Sequence, residues 1–178
     1  MGKSHDLATI ATDGLPTLEV DTIKNTSGTT ALTIDSAGRV LNPNVVAWFL
    51  NKTSSQTASG GDELVSWDVV QLNQGSGFQT SGGNANKFVA PVHGIYSSAG
   101  TLLTQSDTTD HDIKLFHNST AVVRTRNVQV TGHETYNFSW VGEMDAGDTL
   151  YLTIVTSGRV LYGDTSIYWT NCHGHLVG

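Results

Sequence analysis

The side chains best suited to chemistry in this chain are two histidines near its C-terminus. His173 and His175 lie two residues apart in a segment with strand character, so both rings should point to the same face. Imidazole nitrogens bind transition metals, and copies of this pair brought together around a symmetry axis could hold such an ion. The alternative is an exposed or interface-packed pair that binds no metal.

A second candidate site lies in an acidic segment. His111 is close in sequence to Asp107, Asp110 and Asp112, and carboxylate oxygens are the ligands that hard cations prefer. The alternative is a solvated acidic loop, since acidic residues in polar loops need no ligand. If the chain recognises a glycan or a receptor, the polar loops at 53–62 and 101–110 are the expected location, because loops on rigid scaffolds carry recognition.

Motifs of enzymatic chemistry are missing from the sequence. It contains neither a G-x-S-x-G elbow nor an H-E-x-x-H pair. The glycine-rich stretches at 75–77 and 82–83 lack the lysine that a phosphate-binding loop requires. We therefore expect a protein that is not an enzyme, with no catalytic residues and no cofactor.

The composition excludes several classes of protein. The 178 residues carry a net charge of −7, whereas nucleic-acid binding requires clustered cations, so no nucleic-acid partner is expected. No apolar run approaches the roughly 18 residues of a membrane span, and residues 1–12 do not resemble a signal peptide. The single cysteine, Cys172, excludes an internal disulfide framework. An acidic protein made without secretion or membrane insertion is expected.

The pattern of apolar residues divides the chain near residues 42–44. Segment 1–44 contains short, thinly apolar strands separated by turns at 25–28 and 36–38, too few apolar side chains to offset the entropy of ordering alone. Contact with other chains would order it, and packing along its own domain is the alternative. The residues expected to anchor this segment are Leu18, Val20, Ile23, Leu32, Ile34 and Val40.

Segment 45–178 has the pattern of a β-domain. Short apolar or alternating runs are separated by Gly-rich turns, and no sustained helical stripe occurs. The clearest strand places Leu150, Leu152 and Ile154 on one face. The run 45–50 is continuously apolar, as in a strand buried on both faces. The fold class is all-β, with a sandwich, a barrel or a jelly roll as the possible architectures.

Six segments of this domain resemble the complement C1q-like family in the right order. They are DVVQLN (68–73), GF (77–78), KFVAPVHGIY (87–96), IKLFHN (113–118), EMDAGDTLYL (143–152) and CHGHLV (172–177). The resemblance implies a ten-stranded jelly-roll sandwich that forms a homotrimer, as in tumour-necrosis-factor-like proteins. Large side chains with polar tips suit a subunit interface, and ordinary core packing is the alternative. The candidates for the trimer interface are Tyr151, Tyr168 and Trp169.

The N-terminal segment resembles another kind of protein. Its phrase TIKNTSGTTALTIDSAGRV (22–40) is similar to short β-segments of phage fibre and virion surface proteins. We therefore expect a trimeric bacteriophage virion protein, assembled in the host cytoplasm, that decorates or stabilises the capsid surface. Segment 1–44 would bind a capsid or fibre protein, and segment 45–178 would form the head. The alternatives are a receptor- or glycan-binding fibre tip and a secreted complement-type ligand.

Overall fold

The computed structural model describes residues 21–42, 45–105, 110–127 and 132–178. The chain divides into two compact units, residues 1–44 and residues 45–178, here called the N-terminal unit and the head. Two of the expected anchor residues, Leu18 and Val20, lie outside the described residues.

The N-terminal unit contains a small antiparallel sheet of three strands, β1 (Thr22–Lys24), β2 (Thr30–Ile34) and β3 (Val40–Leu41), in the order β1-β2-β3. Side chains hold both predicted turns. The Asn25 amide oxygen accepts the Ser27 and Thr29 N–H groups, and an Asp35 carboxylate oxygen accepts those of Ala37 and Arg39. The described part of this unit, residues 21–42, buries little apolar surface, because Ile23, Ile34 and Val40 are exposed and Leu32 is only half-buried.

The head is built almost entirely from strands. Their bounds are β4 (Ala47–Asn51), β5 (Gln56–Thr57), β6 (Glu63–Leu64), β7 (Val69–Gln74), β8 (Phe78–Gln79), β9 (Lys87–Val89), β10 (Gly94–Thr104), β11 (His111–His117), β12 (Thr120–Asn127), β13 (Glu134–Met144), β14 (Thr149–Ile154), β15 (Val160–Leu161) and β16 (Asn171–Leu176). The head's one helical element among the described residues is a three-residue 3-10 turn at Gly82–Asn84. No helix in the described part of the chain could therefore cross a membrane.

These strands form two antiparallel sheets. In the first sheet the long strands lie in the order β13-β10-β16-β4-β7, and the short strands β15 and β5 continue from the end of β10. The second sheet has the order β12-β11-β14-β9-β8, with β6 also pairing with β14. Every pairing joins antiparallel strands, and many are distant in sequence, as in a jelly roll. The all-β sandwich expected from the sequence is confirmed.

The core lies between the two sheets and is centred on aromatic rings. Trp48 of β4 stacks on Phe88 of β9, with ring centroids 3.8 Å apart, and Phe88 also contacts Tyr96 of β10 at 5.5 Å. Strand alternation supplies the remaining core side chains. In β14, Leu150, Leu152 and Ile154 are buried as predicted, because alternate residues of a strand point to the same face. Aromatic contacts of this kind tie the first sheet to the second.

The strands differ in two respects from the expectation. The described part of the head has thirteen strands rather than ten, but four of them are two-residue bridges, so the longer strands still fit a jelly roll. The expected loop at 101–110 is also shorter than predicted. Residues 101–104 complete β10, because they pair with residues 134–137 of β13 and Leu102 is fully buried in the core. The polar part of the expected loop begins only after these residues, and burial of Leu102 together with the ladder hydrogen bonds extends the strand.

Candidate self-association surface

The outer face of the first sheet, which points away from the core, carries two rows of side chains without a charged group. Cross-strand register aligns the first row as Val141, Ser97, His175, Ala47 and Gln74. The second row, two residues along each strand, consists of Ser139, Ala99, His173, Phe49 and Leu72. Neither row contains Lys, Arg, Asp or Glu. We call these ten residues the uncharged face.

The uncharged face leaves large apolar side chains in contact with solvent. Val141 is 65% exposed and Leu72 is 43% exposed. Ile95, next to this face on β10, is 47% exposed. Depletion of charge and exposure of apolar side chains together are typical of the centre of a protein–protein interface. The arrangement also gives the apolar run 45–50 a physical reason, since Trp48 and Leu50 enter the core while Ala47 and Phe49 lie on the uncharged face.

The histidine pair lies in the middle of the uncharged face. His173 and His175 are both exposed on β16, with rings on the same side of the strand. Their cross-strand neighbours are Ala99 and Phe49 for His173, and Ser97 and Ala47 for His175. The described residues contain no group of three or more His, Cys, Asp or Glu side chains that could hold a metal ion. A metal at this pair would therefore need ligands from further copies of the chain.

The three aromatic residues proposed for the trimer interface lie in two different places. Tyr168 and Trp169 are exposed just before β16, and the Gln71 side-chain amide of β7 donates to the Tyr168 hydroxyl at 3.2 Å. They therefore lie beside the β7 edge of the first sheet. Tyr151 lies on the outer face of the second sheet, where its ring stacks on Phe116 with centroids 5.3 Å apart. The structure does not bring Tyr151 together with the other two.

The acidic residues considered for a cation site are engaged by arginines. Both Asp112 carboxylate oxygens accept the Arg124 Nε–H at 3.0 Å, and Asp110 forms an ion pair with Arg126. His111 is buried, and Asp107 lies outside the described residues. These pairs satisfy the carboxylates without a cation.

Lys52 is a buried charged residue whose contacts serve the structure of the head. Lys52 is buried, and its ammonium group donates to the Ser66 carbonyl oxygen at 2.8 Å and lies 3.8 Å from an Asp68 carboxylate oxygen. Burial lowers the pKa of Lys52, and the Asp68 charge opposes that shift. Asp68 also accepts the backbone N–H groups of Thr53 and Ser54. Asp68, the first residue of the DVVQLN segment, thus fixes the chain after β4.

A hollow between the two sheets of the head is too small for a ligand. That hollow is lined in part by Trp48, Trp67 and Cys172 and has a volume of about 10 Å³. Such a volume holds about one water molecule.

Sequence reasoning missed the uncharged face as a unit. Its residues come from five strands, and β10 and β16 pair across 70 or more positions of sequence. The available signal was in β10, where the uncharged residues Ile95, Ser97 and Ala99 occupy every second position and the residues between them are buried. Which strands lie beside β10 depends on non-local pairing, which alternation alone does not encode.

Comparison with known proteins agrees with the architecture. The head is similar in structure to the globular domain of a zebrafish complement 1qA protein, with a TM-score of 0.58 and 12% sequence identity over 75% of this chain and 98% of that chain. It is also similar to murine APRIL at pH 8.5, with a TM-score of 0.59 and 16% identity over 75% of this chain and 99% of that chain. For Eiger TNF from S. frugiperda the TM-score is 0.60 and the identity 10%, over 76% and 94% of the two chains.

At these identities the structural similarity shows the fold alone. No curated protein matches the chain significantly in sequence. The model of the C1q domain matches residues 47–177, which is most of the chain and nearly the whole head. The chain therefore belongs to the C1q domain family.

Proposed function

We propose that this chain forms a homotrimer through the uncharged face of the first sheet and acts as a structural protein on the surface of a bacteriophage virion. The observation that carries the self-association is the pair of uncharged cross-strand rows that flank the core without being part of it. A sheet face of this composition is unfavourable in water and favourable against a second protein surface. A homotrimer is also what the family resemblance implies.

The virion role is supported by the N-terminal unit. Its three strands are short, and Val40 and Leu41 are 64% and 48% exposed. A sheet with so little buried apolar surface gains stability by association with other chains, either its own copies or a partner protein. We propose that this unit attaches the trimer to a capsid or fibre protein, so that the heads decorate or stabilise the particle.

The C1q fold is equally compatible with a secreted complement-type ligand, and the head alone does not discriminate between the two roles. The N-terminal unit supports the virion role, because its phrase at 22–40 resembles phage fibre segments. A receptor-binding fibre tip shares the same trimer and differs in what the outer surface binds.

Substitution of Val141 tests the self-association directly. Val141→Asp puts a charge in the first row of the uncharged face, where a partner would have to desolvate it. We expect sedimentation velocity to show monomers for this variant and trimers for the unsubstituted chain. Val92→Asp is the matched control, because Val92 is also exposed, at 46%, but lies in the turn before β10. Trimers of Val141→Asp that are as stable as those of the control would refute the proposed surface.

A further inference from the structure

The outer face of the second sheet carries every lysine and arginine of the head that is not buried. The head contains six lysines and arginines in total, and two of them, Lys52 and Arg159, are buried. The other four occupy outward positions of three strands of the second sheet: Lys87 of β9, Lys114 of β11, and Arg124 and Arg126 of β12, with β14 between β9 and β11. In a chain of net charge −7, this concentration on one face is a distinct feature of the surface.

Two aromatic rings lie between these cations. Phe116 and Tyr151, paired across β11 and β14, are parallel within 5° with centroids 5.3 Å apart. The Lys87 ammonium lies 4.6 Å from the Tyr151 ring centroid, and the Lys114 ammonium lies 5.8 Å from that of Phe116. The result is a row of cation, ring, ring and cation. From β9 to β11 the row crosses two strand spacings, about 9–10 Å.

Carboxylates are interspersed on the same face. Lys114 pairs with Asp62 at 3.0 Å, Arg124 pairs with Asp112, and Arg126 pairs with Asp110. Lys87 differs, because its ammonium has no carboxylate within 4.0 Å among the described residues and rests on the Tyr151 ring. The side chains of Arg124 and Arg126 remain about half exposed, at 54% and 53%, and each guanidinium has N–H donors beyond those its aspartate accepts.

This balance of charges selects among possible ligands. A nucleic acid presents closely spaced phosphates, which would be repelled by the three carboxylates and by the acidic chain as a whole. A polysaccharide with isolated carboxylates fits better, because it offers hydroxyl groups that both donate and accept hydrogen bonds. Ring edges and lysine methylenes supply apolar contact for sugar C–H groups.

We propose that the outer face of the second sheet binds a carboxylate-bearing polysaccharide, with Lys87 pairing with a sugar carboxylate and Arg124 and Arg126 donating to neighbouring oxygens. This face lies on the opposite side of the sandwich from the uncharged face, so self-association leaves it open. Three copies in a trimer would bind a repeating polymer with increased avidity. The binding site itself is contained in one head and does not depend on the virion role.

The test uses the full chain and four immobilised probes in biolayer interferometry. They are polygalacturonate, which carries carboxylates, heparin, which carries sulfates as well, neutral dextran and a short DNA duplex. Binding to polygalacturonate above all three others is expected. Lys87→Glu and Lys87→Gln should weaken it about tenfold or more, the loss expected for one hydrogen bond between charged groups. Lys24→Glu is the control, because Lys24 is exposed in the N-terminal unit and gives the same change in net charge.

Three results would overturn the proposal: polygalacturonate binding no stronger than dextran binding, equal or stronger binding of heparin or DNA, and Lys87 variants that bind like Lys24→Glu. Thermal melting of each variant confirms folding. Sedimentation of the same samples reports the oligomer separately, so a failed binding test and a failed trimer are distinguished.

Discussion

Asp148 illustrates how a family-like segment acts through one carboxylate. It follows Gly147, whose φ of +97° suits glycine, and it accepts hydrogen bonds from the Asn118 side-chain amide at 2.8 Å and the Asp145 N–H at 2.9 Å. His117 Nε2 lies 3.0 Å from the Oδ2 atom of Asp148, which also accepts the Asp145 N–H. The Asn118 hydrogen bond, followed by that of His117, lowers the pKa of Asp148 from 3.8 to about 2. These contacts join the β11–β12 turn to the start of β14.

The lowered pKa of Asp148 makes its contribution to stability depend on pH. Because the folded pKa is below the unfolded one, the stabilisation is fully present above about pH 4 and is lost as the pH falls toward 2. We expect Asp148→Asn to lower the free energy of unfolding by about 1–2 kcal/mol at pH 7 and by almost nothing near pH 2. Urea titrations at both pH values measure this, with the exposed Asp21→Asn as control. An equal loss at both pH values would contradict the assignment.

Cys172 should be chemically inert in the folded head. Its thiol is buried beside Ser98, with an Oγ–Sγ distance of 3.9 Å, and burial raises the pKa from 9.0 to about 11. The thiolate is the reactive form of cysteine, and because the pKa is raised, little thiolate exists at pH 8. We expect Ellman's reagent to label Cys172 only after addition of denaturant. Stoichiometric labelling of the native protein as soon as the reagent is mixed in, without denaturant, would contradict this prediction, because it would show that the thiol is accessible.

At the scale of elements, packing of β16 on the core depends on Gly174. A Cβ atom at this position would lie 2.1 Å from the Trp48 ring and 2.5 Å from the Ser97 carbonyl oxygen. Neither can yield easily, because Trp48 is stacked on Phe88 and Ser97 belongs to β10. We expect Gly174→Ala to lower the free energy of unfolding by about 1–3 kcal/mol. Gly83→Ala is the control, since nothing lies within 4 Å of its Cβ position, and equal melting temperatures would contradict this account.

Local patterns in the sequence predict the elements better than their arrangement. The alternation of β14 and the turns around Asn25 and Asp35 follow from residue type, because side chains and backbone interact there over a few residues. Placing Tyr151 on a different sheet from Tyr168 requires the pairing of distant strands. The same holds for the four cations of the second sheet, because they come from β9, β11 and β12, and β14, which comes later in the chain, lies between β9 and β11.

At the scale of the whole molecule, the outer faces of the head's two sheets differ in chemical character. The outer face of the first sheet has uncharged rows with exposed valine and leucine, whereas that of the second carries the four unburied cations of the head. A monomer has no use for such a division, because the first surface would remain in contact with water. The proposed trimer would bury the first surface and display three copies of the second. Self-association and ligand binding would then use separate faces of one small domain.

The most direct test of the account is the mass of the unsubstituted full chain in solution. Size-exclusion chromatography with light scattering at micromolar concentration should give three times the 19.0-kDa mass of the chain, because the uncharged face is buried between copies. The mass should remain constant on moderate dilution and in high salt, since apolar contacts are not screened by ions. A mass of 19.0 kDa at every concentration would contradict the central claim, because the uncharged face would then have no partner in its own copies.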